Sequence, residues 1–147
     1  MTKLKVAGEE FEVKSRLEAS GVPFSNEEEN GRYRTLHNRF RVTVCSKHTN
    51  KCRSFKYHGS QNDMEAGKDK LSAEDEKFAF RSFIDDSISG TMDFHEFCSE
   101  YGYDEDSRRA EKIHKAVKRS LKQAEDLGLS ENELYDIING LSKQGIE

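Results

Sequence analysis

Apolar positions recur along this chain at two different spacings. Residues 9–18 read EEFEVKSRLE, where Phe11 and Val13 alternate with Glu10, Glu12 and Lys14 and Leu17 keeps the phase. A period of two predicts a half-buried strand. The next stretch, 19–31, holds Gly21, Pro23, Asn26, the acidic triplet Glu27–Glu29 and Asn30-Gly31. It reads as a long loop. Alternation returns at 38–45 (NRFRVTVC) and 52–58 (CRSFKYH), separated by six residues that suit a hairpin loop. Pairing the apolar faces turns Phe40, Val42, Val44, Phe55 and Tyr57 inward. Arg39, Arg41, Lys56 and His58 then share the outward face.

Beyond a polar stretch at 59–70 the spacing changes to three and four. Ser72 and Asp75 form a capping pair for a helix whose apolar side is Phe80, Phe83, Ile84 and Ile88, closed by Ser89-Gly90. A short helix over 93–101 should bury Phe94, Phe97, Cys98 and Tyr101 and stop at Gly102. A long helix from about 105 to 127 carries Ala110, Ile113, Val117, Leu121 and Ala124 in one stripe. Asp104 and Asp106 stand at its start, where carboxylates oppose the positive dipole end. Ile113 and Val117 should lie against the sheet or the first helix. Ser130 with Glu133 is a capping box for a last helix, with Leu134, Ile137, Ile138 and Leu141 inward.

Strands come first and helices second. The order predicts an α+β fold: a small antiparallel meander of about three strands, followed by about four helices packed on one face. With 147 residues and one proline, the chain reads as a single domain, strand-rich over 1–60 and helical over 71–143. No apolar run approaches the roughly 20 residues of a membrane span, and the start lacks the apolar stretch of a secretory signal. Three cysteines without such a signal lead to the expectation of a reducing cytoplasm.

Charge sharpens the picture. The net value is −4, yet residues 31–62 contain no acid and eight Lys or Arg, so the remainder carries −12. Arg32, Arg34, Arg39, Arg41, Lys47, Lys51, Arg53, Lys56 and His58 form a candidate surface for phosphates or an acidic partner, with Tyr33 available for stacking. The bland reading of the same residues is a solvated strand face paired with the chain's own acids.

Two metal readings compete with structural ones. Asp85, Ser87, Ser89, Gly90, Asp93 and Glu96 match the spacing of an EF-hand loop, though serine at two ligand positions weakens it. The alternative is a helix–loop–helix with Gly90 as the terminating glycine. Cys45, His48, Cys52 and His58 are soft ligands around one hairpin, but no Cys-x2-Cys knuckle is present. The expectation is therefore no metal and no cofactor. No nucleophile elbow, phosphate loop or His-Glu-x-x-His appears, and the five histidines are scattered. The chain reads as a binder rather than an enzyme.

The segment FCSEYGYDEDSRRAEKIHKA, Phe97–Ala116, resembles a recurring segment of small phage and prophage proteins. The likeness extends along most of the chain: a hairpin, Gly59-Ser60, a helix, then the Tyr-Gly-Tyr-Asp corner. The resemblance implies a phage-encoded accessory protein. Some proteins of that kind block bacterial defence systems, including as anti-CRISPR proteins. The expected function is inhibition of a host defence protein, or of its nucleic-acid complex, through a protein–protein interface in the host cytoplasm. Direct nucleic-acid binding by the basic hairpin is the alternative, and single-site calcium binding a third.

Overall fold

The structure is a computed structural model that describes residues 1–23, 36–59 and 67–147. Four strands, β1 (Thr2–Val6), β2 (Glu9–Pro23), β3 (Leu36–Ser46) and β4 (Cys52–His58), form one antiparallel sheet in chain order. Four helices follow: α1 (Ala73–Ser89), α2 (Phe94–Tyr101), α3 (Arg108–Asp126) and α4 (Glu131–Lys143). The α+β arrangement is as expected, with one more strand.

The extra strand is β1. Leu4 and Val6 face inward between exposed Lys3 and Lys5. Ala7 and Gly8, both at positive φ, turn the chain directly into β2. At its far end β2 runs on through Gly21 to Pro23, where a loop was expected, with register shifts after Leu17 and after Ala19. Such irregularities let a strand bend and continue.

The sheet's inner face meets the helices. Phe11, Val13, Phe40, Val42 and Val44 are fully buried there, and Phe55 and Tyr57 pack at the margin. Phe55 stacks on Phe83 of α1, ring centroids 5.1 Å apart. α1 lies on this face and holds α3 and α4 beside it. Its buried Glu76 accepts hydrogen bonds from Thr2 Oγ1 (2.6 Å) and Ser15 Oγ (2.7 Å), which tie the first two strands to the helix.

Several local expectations are corrected. Ser107, not Asp104 or Asp106, caps α3, its side chain accepting from the Ala110 N–H. Along that helix Ala110, Val117 and Ala124 are buried, while Ile113 and Leu121 are only half-buried. Tyr101 is exposed: it shares Phe97 with Tyr103, at ring centroids of 5.0 Å and 5.8 Å, and its hydroxyl meets Ser89 at the surface. Gly102 does take the left-handed conformation that ends α2, and the Ser130–Glu133 capping box is present.

Candidate functional site: the open face of the sheet

Among the described helices, α1 and α4 pack on the inner face of the sheet and carry α3 and α2 beside them, and alternation along the strands sends every second side chain to the other side. Among the described residues that side carries seven cations: Lys3, Lys5, Lys14, Arg16, Arg39, Arg41 and Lys56. Three carboxylates stand against them, Glu10, Glu12 and Glu18, leaving a net +4 on a chain whose total is −4. Ladder register sets the cations in rows. Arg16, Arg41 and Lys56 are direct cross-strand neighbours on β2, β3 and β4, and the next row places Arg39 beside His58. Like charges at this separation disfavour the sheet.

Part of that cost is offset locally. Glu18 accepts from Arg41 Nη2 at 2.9 Å and from Arg39 Nε at 3.3 Å. The Arg41 hydrogen bond, then the charges of both guanidiniums, hold the Glu18 carboxyl below the usual carboxylate range. Lys47 pairs with Glu12 at 2.8 Å. Arg16 and Lys56 are exposed and make no ion pair among the described residues.

The nine residues singled out from sequence therefore divide. Arg39, Arg41 and Lys56 share the open face as expected. Lys47 and Lys51 flank the hairpin loop. Arg53 faces the other way, toward α3, where its Nε lies 3.3 Å from Asp126, so it belongs to the fold and not to the face. His58 packs edge-on against buried His37, with Nδ1 2.5 Å from His37 Nε2. Burial, then the charges of His37, Arg39 and Lys56, push the His58 pKa down. Arg32 and Arg34, with Tyr33 and Glu27–Glu29, lie outside the described residues.

Sequence reading missed Lys3, Lys5, Lys14 and Arg16. Lys14 and Arg16 lie between Glu12 and Glu18, and Lys3 and Lys5 are only two cations in a short N-terminal stretch, so no long acid-free window marks them. The alternation that brings them to one face was nonetheless legible.

The metal readings do not survive the geometry. Asp85, Ser87 and Ser89 lie within α1, so they cannot wrap a cation as a loop would. Ser87 is buried, its Oγ 2.8 Å from Phe83 O and 3.1 Å from Ser120 O. Asp93 caps α2 by accepting from the Glu96 N–H. Gly90 has φ −66° and is not a left-handed terminator. Its lack of a side chain serves packing: a Cβ there would sit 2.3 Å from Val117 O. Cys45 and Cys52 are cross-strand partners joined by a disulfide, so neither offers a thiolate to zinc, and Cys98 is free and buried.

A second basic surface lies on α3. Arg108, Arg109, Lys112, Lys115, Lys118, Arg119 and Lys122 are exposed and form no ion pair among the described residues. Between α3, α1 and β4 runs a groove of about 890 Å³, lined among others by Phe55, Lys56, Tyr57, Asp86 and Arg119. Asp86 is exposed at the groove wall, but the protein packed around it, and then the adjacent Asp85, raise its pKa to about 6. No described helix is long and apolar enough to cross a membrane. No protein-family model, curated protein or solved structure matches this chain.

Proposed function

We propose that this chain is a binding protein whose working surface is the basic face of its sheet, the one on which no described helix packs. The partner is a host defence protein or its nucleic-acid complex, and the role is that of a phage-encoded, anti-CRISPR-like inhibitor acting by occlusion. The observation that carries the binding reading is the row Arg16–Arg41–Lys56, three cations in register on an open face. Arginine suits this task because its planar fork can grip carboxylates or phosphates through two hydrogen bonds. A surface of like charges loses stability in isolation and recovers it against an anionic partner. The phage assignment itself rests on the Phe97–Ala116 resemblance.

Expression in a bacterial host that carries an active defence system tests the role. Phage plating should recover with the wild-type chain and not with a folded Lys14→Glu/Arg16→Glu variant. Recovery that is absent with the wild-type chain across the defence systems tried, or equal in both chains, contradicts the reading.

Direct binding of nucleic acid is a second reading. It is favoured by the seven exposed α3 cations that have no acidic partner among the described residues. The overall −4 does not oppose it, since the cations are segregated onto two surfaces.

A further inference from the structure

The two basic surfaces meet at one place, the edge of the sheet. Strands are spaced about 4.8 Å apart, so the row Arg16–Arg41–Lys56 spans about 10 Å across β2, β3 and β4. It ends at β4, which is the last strand of the sheet. Lys56 also lines the groove behind that edge, and Arg119 of α3 lines the same groove. Lys115 and Lys122 lie one turn of α3 to either side of Arg119 and are exposed. A line of cations thus crosses the open face, rounds β4 and continues on the helical layer.

The geometry points to a single-stranded nucleic acid as the ligand of this line, its phosphates following Arg16, Arg41, Lys56 and Arg119 around the edge of the sheet. This rests on the second reading above and adds the path and the strandedness. The turn decides between single and double strands. Arg16 and Arg41 stand on one side of the sheet and Arg119 on the other, so a ligand touching all of them must bend sharply around β4. Duplex DNA keeps its direction over about 150 base pairs, and bending it within a few base pairs is costly. A single strand follows such a path freely. The groove also carries the aromatic side chain of Tyr57 among its lining residues, and aromatic rings stack bases without sequence preference. Two carboxylates oppose the ligand: Asp86 stands in the groove, and on the open face Glu18 already holds Arg41 Nη2 at 2.9 Å.

Fluorescence anisotropy with a labelled oligothymidylate of about 20 nucleotides tests this, beside a duplex of equal length and a polyglutamate of similar charge. The variant is Arg16→Gln/Lys56→Gln/Arg119→Gln, three exposed side chains with no ion pair among the described residues, with a melting curve to show that it folds. Arg16→Gln alone serves if the triple variant does not. Lys143→Gln on α4 is the control. The expected result is single-strand binding at about 50 mM salt, at least tenfold weaker in the triple variant, unchanged in the control and weaker for the duplex. The salt slope should fall by about 2, three contacts at about 0.7 each. Four outcomes would overturn it: no binding of the single strand, equal binding by the folded variant, a duplex bound as tightly, or polyglutamate bound as tightly. None of these touches the protein-partner reading, which the plating assay tests separately.

Discussion

Glu18 and Arg41 face each other across β2 and β3 at 2.9 Å, and the same carboxylate also reaches Arg39. Two guanidiniums therefore share one acid, and one positive charge is left over on an open sheet face. The pair is solvent-accessible, so its worth to the fold is small. Glu18→Gln should leave the melting temperature within a few degrees of wild type. It should also tighten binding of an anionic partner severalfold, because it frees both cations. Isothermal titration measures the second effect. Weaker binding by the folded variant would show that free positive charge is not what the partner reads.

Gly90 and Val117 provide a test of the helical layer. At φ −66° an alanine would suit the backbone, and replacing glycine there would by itself stabilise the fold by reducing the freedom of the unfolded chain. The contact decides otherwise. A Cβ would meet Val117 O at 2.3 Å and Leu121 Cβ at 2.9 Å, and the first of these is backbone that cannot rotate away. Gly90→Ala should cost about 1–3 kcal/mol, the usual range for overpacking. Urea unfolding reads it. A neutral or stabilising result would mean that α1 and α3 do not approach this closely.

Asp86 makes stability depend on pH in an unusual direction. Its pKa is raised from 3.8 to about 6, so the folded state favours the protonated acid. The stabilisation is full below about pH 4 and is lost as pH rises through about 6. Asp86→Asn removes the loss. The variant should therefore melt higher than wild type at pH 7 and close to it at pH 4. His58 acts in the opposite sense: its pKa is pushed down, so its contribution is present above the ordinary histidine range and lost as pH falls. A melting series across pH 4–8 in both chains separates the two groups. An Asp86→Asn chain that melts no higher at pH 7 would contradict the environment described for this carboxyl.

Much of the fold was legible because periodicity reports burial directly. The inward set Phe40, Val42, Val44, Phe55 and Tyr57, the buried α3 positions Ala110, Val117 and Ala124, and the Ser130 capping box each follow from spacing alone. What failed depends on tertiary neighbours. Gly90 carries no local sign that α3 passes within van der Waals contact. Ser107 takes the cap over Asp104 and Asp106 because residues 104–107 form a turn, with Ser107 N–H donating to Asp104 O, before the helix begins. Cys45 and Cys52 look like flanks of a loop until the register sets them opposite each other. β1 was different: Leu4 and Val6 alternate with lysines in plain view, and only its shortness hides it. The same holds for Arg16, which is one cation among acids in the sequence and the centre of a basic row once β2 pairs with β3.

The central claim is that the basic outer face of the sheet does the binding, and a two-sided comparison addresses it most directly. The partner captured from host lysate is purified and titrated against three folded chains: wild type, Lys14→Glu/Arg16→Glu on the open sheet face, and Phe78→Ser/Tyr135→Ser, which changes two exposed aromatic residues on α1 and α4. Affinity should fall at least tenfold, about 1.4 kcal/mol, for the sheet variant and stay at the wild-type value for the helical one. Unchanged affinity in the sheet variant, with loss in the helical one, would move the interface to the helices and contradict the account.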